Sequence, residues 1–168
     1  MDDVDDVVEV LDEVATWMSG RGIAQWPPRF AANWVWSAVE AGETWLVVVD
    51  NHTAATITLS WEDPLWDLET SAAGQVHGIA VRRFAGGLGV TLLDWVQDEA
   101  LRRGRPLLRL DCVADNQRLR AYYQGLGFLH RGDVEVRGAP GLRDQAGPRT
   151  LVSRYERASP TVASRQVG

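Results

Sequence analysis

A glycine-rich segment that follows a predicted buried strand is the first candidate for chemistry in this chain. The strand covers residues 75–81, and Gly86-Gly87-Leu88-Gly89 then leads into an amphipathic pattern. Glycine lets a backbone approach a ligand closely, because no β-carbon stands in the way. The first N–H groups of a helix lack intrahelical partners and favour an anion such as a pyrophosphate. By itself the pattern fits a phosphate-binding loop or an ordinary strand–turn–helix junction.

A second set of candidate residues begins at the next predicted strand, 107–113. Asn116 is placed to cap the helix that follows, and Asn is a favoured residue type at that position. The helix carries Tyr122 and Tyr123 and ends before Gly127-Phe128. A neutral phenol, with a reference pKa of about 10, is a plausible proton donor to a departing thiolate. From spacing alone, Tyr123 is more simply a core aromatic residue.

In this order the two patterns resemble the GNAT acyltransferases, the acetyl-CoA-dependent N-acetyltransferase superfamily. The family's central motif is a strand, Gln/Arg-x-x-Gly-x-Gly/Ala and a helix. Its second motif is a strand, an Asn, a helix and Tyr-x-x-x-Gly-Phe. Gly87-Leu88-Gly89 matches the first set of glycines, and residues 123–128 match the second motif. The resemblance implies a mixed α/β fold, with a central and mostly antiparallel sheet, two splayed parallel strands, and helices on both faces.

The resemblance also implies a cleft for acetyl-CoA between the strands 75–81 and 107–113. The backbone of Ile79, Ala80 and Val81 would pair with the pantetheine amides like an added strand, and the Asn116 side chain would bond the same arm. The pyrophosphate would be held by the N–H groups of Ala85, Gly86, Gly87, Leu88, Gly89 and Val90. No metal ligands are predicted.

One departure from the family pattern concerns its basic residue. The Gln/Arg position is occupied by Phe84, and the nearest arginine is Arg83. Because backbone N–H groups would hold most of the phosphate charge, the departure bears on cofactor affinity more than on chemistry.

The resemblance implies that Tyr123 protonates the departing thiolate, which leaves Tyr122 as a core residue. The family has no fixed general base. His77 is our candidate, since imidazole has a reference pKa near neutrality, although a polar strand residue is the simpler interpretation. Asp111 and Glu69 are weaker candidates. Cys112 is expected to be buried and not to act as a nucleophile, because this family transfers the acetyl group directly.

Eight tryptophans are many for 168 residues. Trp45 and Trp95 are expected in the core. Five others fall in the segments where GNAT enzymes build the acceptor site: Trp26, Trp34, Trp36, Trp61 and Trp66. An aromatic wall there would suit an apolar or cationic acceptor, although packing beneath loops is the simpler role for any single one.

Hydrophobic periodicity and turn residues predict the element order α-α-β-β-β-α-β-α-β-β. The helices are expected at 1–19, 31–41, 87–103 and 116–125. The strands are expected at 45–49, 54–61, 75–81, 107–113, 133–136 and 150–155, with a Gly/Pro-rich loop at 138–149. GNAT domains begin with a strand that has no counterpart in this sequence. Either the start codon was assigned too late, or this family member lacks the strand. We expect one domain over 1–157 and a disordered tail over 158–168.

Composition limits the classes of partner. The net charge is −6, which disfavours a nucleic-acid partner. The first 13 residues hold seven acids and no base, a cluster that is typical of a solvated helix face; attraction of a cationic substrate is the alternative. The 17 basic residues are all arginine, and the one cysteine excludes an internal disulfide. No apolar run reaches the length of a membrane span. We expect a cytoplasmic protein with a small-molecule or peptide amine acceptor and no membrane partner, and a homodimer stays an open alternative.

Two rival functions follow from the same residues. The first is a GNAT-fold module that binds acyl-CoA without turnover, which the altered Phe84 position favours and which Asn116 and Tyr123 disfavour. The second is a Rossmann-type nucleotide-binding protein. The sequence disfavours this alternative, because no early βαβ unit is present and no suitable acid lies about 20 residues after the glycines.

Overall fold

Six strands form one sheet in the order β1-β2-β3-β4-β6-β5. The computed structural model describes residues 3–66, 72–138 and 147–160. The helices are α1 (Asp3–Ser19), α2 (Trp36–Glu40), α3 (Leu88–Arg102) and α4 (Gln117–Gly125). The strands are β1 (Thr44–Val49), β2 (His52–Ser60), β3 (Ala73–Val81), β4 (Leu107–Val113), β5 (Leu129–Arg137) and β6 (Arg149–Ala158). Within this described part, every neighbouring pair is antiparallel except β3 and β4.

The predicted element order is confirmed; most boundaries differ by one or two residues, and the larger differences lie in α2, β5 and β6. The second helix is short, because a 3-10 turn at Ala32–Trp34 replaces its predicted beginning. Strands β5 and β6 are longer than expected, since their pairing continues past an irregularity between His130 and Asp133. Strand β6 ends at Ala158, one residue into the predicted tail, and the Ser159 N–H donates to the Pro106 carbonyl oxygen at 2.7 Å. Residues 161–168 lie outside the described part.

The sheet is covered by helices on both faces, as the resemblance implied. On one face, α3 and α4 bury a core around Leu93, Val96 and Phe128. On the other face, α1 buries Val7, Val10 and Leu11 against Ala80 of β3. The apolar positions of α1 recur at helical spacing, so they form a single buried stripe, while most of its acids face solvent.

A bulge in β3 changes which face its side chains meet. Thr56 pairs with Ala80 and Thr58 pairs with His77, so β3 has one more residue than β2 across this interval. Gly78 lies in the interval with a φ of +53°, a conformation that glycine adopts without a steric penalty. Val76 therefore packs on the α3 face and Ala80 on the α1 face, although regular alternation would put both on one face.

The two parallel strands separate soon after they begin. Strands β3 and β4 pair from Ala73 with Leu107 to Gln75 with Arg109, and their described pairing ends there. The later residues of both strands pair only with their outer neighbours, β2 and β6. The separation opens a V-shaped gap in the middle of the sheet, as the resemblance implied.

No helix in the described ranges is long and apolar enough to cross a membrane.

Candidate active site

A cleft with a volume of about 1180 Å³ occupies the gap between β3 and β4. The glycine turn before α3 lines one part of it, and the second half of β3 lines another. His77 and Tyr123, the two residues predicted to be catalytic, both line it as well. The fold therefore brings most of the predicted site residues to one cavity.

The glycine turn leaves the first N–H groups of α3 available to a ligand. Gly87 precedes the helix with a φ of +97°, and no side chain caps it. The N–H groups of Leu88, Gly89 and Val90 have no helical carbonyl ahead of them to bond. The N–H groups of Ala85 and Gly86 instead donate to Arg82 and Arg83 carbonyl oxygens within a 3-10 turn, at 3.0 and 3.3 Å. The N–H groups that remain available to an anion are therefore those at the beginning of α3 and not those of Ala85 and Gly86.

The arginines before this turn have other contacts. The Arg82 guanidinium pairs with Glu9 at 2.8 Å and Glu13 at 2.9 Å. The Arg83 guanidinium lies 5.0 Å from the centre of the Trp17 ring and lines the cleft. Phe84, at the family's basic position, is 61% exposed. Arg83 is thus the arginine nearest in sequence to the family's basic position at Phe84, and it lines the cleft.

The two adjacent tyrosines of α4 have different surroundings. Tyr123 is buried, and its ring packs 5.8 Å from Phe128 and 6.0 Å from Tyr155, between ring centres. Burial raises the pKa of the Tyr123 phenol well above its usual value, so it stays protonated at neutral pH. Tyr122 is 40% exposed. The prediction that Tyr122 is a core residue is therefore wrong, because Tyr122 lies at the cleft wall beside Gly89.

His77 lies beside two carboxylates that come from other parts of the chain. His77 Nε2 hydrogen-bonds Ser60 Oγ at 3.1 Å and is 3.8 Å from Asp63 Oδ2. One ligand-type atom from each of Asp63, His77 and Asp111 lies within 4.8 Å of the other two. Asp111 was a weak candidate from sequence, and Asp63 was missed, since an Asp-Pro pair after a strand usually indicates only a turn. Glu69 lies outside the described residues.

Asn116 is the N-cap of α4, as predicted. Its Oδ1 accepts the Leu119 N–H at 3.1 Å. Its Nδ2 donates to Gln25 Oε1 at 3.2 Å, and the same oxygen accepts the Val113 N–H at 3.1 Å. Gln25 was not singled out from the sequence. It connects the segment after α1 to the end of β4, where the gap is open.

Cys112 is fully buried, as expected. Burial raises the pKa of its thiol to about 12, so the thiolate is scarce at neutral pH. A thiol in that state is a poor nucleophile.

The tryptophans divide between the cleft and the rest of the surface. Trp26 and Trp34 line the cleft together with Phe30. The other predicted members are elsewhere: Trp36 is exposed, Trp61 is covered by Arg103 and Arg105, and Trp66 is flanked by Arg109 and Arg154. Trp45 packs against the core as expected, whereas Trp95 contacts Trp45 but is 36% exposed.

Comparison with known proteins decides the family. Residues 11–128 match the model of the acetyltransferase (GNAT) family. The chain belongs to the GNAT acetyltransferases. It is 30% identical over 142 residues to a Bacillus subtilis protein described as an uncharacterized N-acetyltransferase, YesJ, and the match covers 78% of this chain and 79% of that one. As a member of this family, the chain is a GNAT-type N-acetyltransferase.

Solved structures have the same fold. A GNAT-family acetyltransferase from Listeria monocytogenes superimposes with a TM-score of 0.70 at 20% identity, over 93% of this chain and 89% of that one. The Salmonella typhimurium protein yncA, solved with its cofactor acetyl-CoA, superimposes with a TM-score of 0.65 at 14% identity, over 99% and 94% of the two chains. These likenesses establish the GNAT architecture of the sheet and its helices.

Proposed function

We propose that this GNAT enzyme moves the acetyl group of acetyl-CoA directly to a primary amine of a small molecule or peptide, in a ternary complex. The observation that carries the proposal is the gap between β3 and β4. One end of it meets the N-terminus of α3, and its walls include His77 and Tyr123. An anion site, an open strand edge and two proton-transfer groups therefore share a single cavity.

Acetyl-CoA is the acetyl donor, and the chain offers a suitable site for it. The N–H groups of 87–90 suit the pyrophosphate, since helix N-termini favour anions. The backbone of Ile79, Ala80 and Val81 borders the gap and suits the pantetheine amides by strand addition. Asn116 would contribute its side-chain N–H, which is shared with Gln25.

The bound donor supplies a thioester carbonyl carbon, which is the site of amine attack. The amine binds as its ammonium ion and gives one proton to His77, which leaves a neutral nitrogen that attacks the carbonyl carbon and forms the new C–N bond. The C–S bond breaks, and Tyr123 donates its phenolic proton to the sulfur. The attacking nitrogen then loses a second proton, which replaces the one that Tyr123 has lost, and His77 releases its proton to solvent, so both residues return to their starting states. General acid–base groups contribute about 10²- to 10⁴-fold in rate.

The alternative is a GNAT-fold module that holds acyl-CoA without turnover. It is favoured by one observation, the exposed Phe84 at the family's basic position. The buried and protonated Tyr123 beside the cleft supports turnover instead, because a binding module has no need of a proton donor there.

Initial-rate kinetics test the proposal. Thiol release from acetyl-CoA is followed against a panel of primary amines while both substrates are varied. Direct transfer predicts reciprocal plots that intersect. Parallel plots would indicate a covalent acetyl-enzyme and contradict the mechanism. Thiol release with none of the amines, together with a thermal shift by acetyl-CoA, would leave the binding module as the function.

A thermal-shift control checks the donor. Saturating acetyl-CoA is expected to stabilise the fold by about 2.7 kcal/mol at a hundredfold excess over Kd. NAD, the ligand of the Rossmann alternative, should have no such effect.

A further inference from the structure

The cleft that carries His77 has both carboxylates and aromatic rings in its lining. Its carboxylates are Asp63 and Asp111, which meet His77. Its rings are Trp26, Phe30 and Trp34, which we call the aromatic wall. The rings of Trp26 and Phe30 are 5.4 Å apart between centres, and those of Phe30 and Trp34 are 5.7 Å apart. All six residues line the same cavity.

We infer that these carboxylates and the aromatic wall together form an acceptor subsite for an arylalkylamine. Such an acceptor is a primary amine that binds as its ammonium ion and carries an aromatic body without a carboxylate. The inference rests on the proposed acetyl transfer and adds the class of acceptor. The ammonium group is held by Asp63 and Asp111, and His77 lies beside it to take a proton. The aromatic body lies against the aromatic wall.

The distribution of charge in the cleft supports a cationic acceptor. Among the described lining residues, the acids besides this pair are Glu43 and Glu62, and the bases are Arg82 and Arg83. Both arginines directly precede the glycine turn, on the side of the anion site, and Arg82 is already paired with Glu9 and Glu13. The Asp63 carboxylate beside His77 therefore favours an ammonium group and disfavours an acceptor that carries its own carboxylate.

Asp63 is held in an orientation suited to this role. Its side chain is only 10% exposed, and its Oδ1 accepts the Leu65 N–H at 2.8 Å. Its Oδ2 accepts no hydrogen bond from the described residues, since His77 Nε2, at 3.8 Å, is too far for one. One oxygen therefore fixes the turn while the other faces the histidine.

A metal ion is the competing occupant of this cluster, since one ligand-type atom from each of Asp63, His77 and Asp111 lies within 4.8 Å of the other two. The experiment therefore includes a chelator, which removes a metal ion and leaves an ammonium site unchanged.

The aromatic wall is anchored to α1. The Phe30 N–H donates to Asp12 Oδ1 at 2.7 Å, and Trp26 and Phe30 pack against the core formed by α1. Rings held in this way present a surface to which a flat apolar body can stack, at little conformational cost.

The experiment compares phenethylamine with phenylalanine and with propylamine, in the presence of a chelator. Phenethylamine should have a kcat/KM at least about tenfold above each of the others, because phenylalanine adds a carboxylate and propylamine lacks the ring. Asp63→Asn keeps the oxygen that accepts the Leu65 N–H and removes the charge. It should raise the KM of phenethylamine about 10- to 100-fold, the range for a hydrogen bond to a charged group.

Two further variants separate charge from shape. Trp26→Ala should lower kcat/KM for phenethylamine and leave propylamine nearly unchanged. Asp98→Asn, an exposed carboxylate on α3 outside the cleft, is the charge-matched control and should match the wild type. A preference for phenylalanine, an unchanged KM in Asp63→Asn, or activity that the chelator abolishes would each overturn the subsite; the last would make the cluster a metal site.

Calorimetric binding of phenethylamine to the protein–CoA complex distinguishes this inference from the proposed function. Binding that is weakened by Asp63→Asn, without any thiol release in the assay, would overturn the transfer and retain the subsite. Thiol release with other amines, without phenethylamine binding, would overturn the subsite and retain the transfer.

Discussion

The Tyr122 hydroxyl lies directly over Gly89, at the first turn of α3. A β-carbon added at Gly89 would stand 2.9 Å from the Tyr122 hydroxyl oxygen, closer than side chains normally approach. The contact joins the helix of the second family motif to the glycine turn of the first. An alanine here would have to displace the Tyr122 ring, although the position is helical, where alanine is intrinsically better by about 1 kcal/mol.

Gly89→Ala should therefore destabilise the fold by about 1 kcal/mol instead of stabilising it. Adding Tyr122→Phe should restore most of the loss, because it removes the hydroxyl that the new methyl group meets. Denaturant unfolding of the two variants measures this. A gain in stability from Gly89→Ala alone would show that the contact does not form in solution.

The same methyl group should weaken acetyl-CoA binding in both variants. It would stand beside the N–H groups that we propose for the pyrophosphate, so we expect a loss of about tenfold or more in affinity, which corresponds to about 1.4 kcal/mol. Isothermal titration of acetyl-CoA provides the measurement. Equal affinity in the wild type and both variants would place the phosphates elsewhere.

Tyr123→Phe should lower single-turnover acetyl transfer by about 10- to 1,000-fold, since water can partly replace the lost proton donor. The ring and its packing on Phe128 and Tyr155 stay, so acetyl-CoA affinity should hardly change. Tyr122→Phe is the control on the adjacent residue and should keep near-wild-type turnover. If Tyr122→Phe were instead the crippling change, the proton donor would be the exposed tyrosine at the cleft wall.

Cys112 should be inert in the native protein. Because burial raises the pKa of its thiol to about 12, a thiol reagent at pH 8 should modify it only after unfolding. Cys112→Ala should keep the rate of acetyl transfer and lose about 1 kcal/mol of stability through the small cavity that it leaves. Rapid labelling of the folded protein would contradict the burial of Cys112, and a large loss of turnover in Cys112→Ala would contradict the direct-transfer mechanism.

Glu156 should make stability depend on pH in the acid range. Burial raises the pKa of its carboxyl, but hydrogen bonds from Arg109 and Arg131, both at 2.8 Å, outweigh burial and lower the pKa below its usual value. Since the folded-state pKa is the lower one, the stabilisation is complete above the unfolded-state pKa. It is lost as the pH falls through the folded-state value.

Glu156→Gln should therefore cost about 3 kcal/mol at pH 7, where it removes one charge of a buried pair. The difference from the wild type should shrink as the pH falls below the usual pKa of a glutamate. Glu135→Gln, in the exposed pair with Arg149 at 3.0 Å, is the matched control and should change stability by less than about 0.5 kcal/mol. A pH-independent cost for Glu156→Gln would exclude this linkage.

Local pattern was sufficient to predict most elements of this fold. The apolar stripe of α1, the glycine turn before α3 and the Asn116 cap each depend on residues that are neighbours in sequence, and all three have the predicted form. The extent of β5 and β6 was not predicted from sequence, because their pairing passes a Gly132 in the left-handed region, with a φ of +92°. The alternation of side chains is interrupted there.

The amino-acid sequence by itself determined the order of the elements and the family, and it indicated the strand and the glycine turn that line the cleft, since these follow from short-range periodicity and two local motifs. Only the tertiary structure brought together the residues of the proposed acceptor subsite. Asp63 and His77 meet Asp111 because β2, β3 and β4 are neighbours in the sheet and the Gly78 bulge shifts the side chains of β3 between its faces. Tertiary packing also decided that Tyr122, expected in the core, is exposed at the cleft wall, and that Tyr123 is buried beside it. Adjacent residues of a helix point about 100° apart, and the packing of α4 against its neighbours decides which of them is buried.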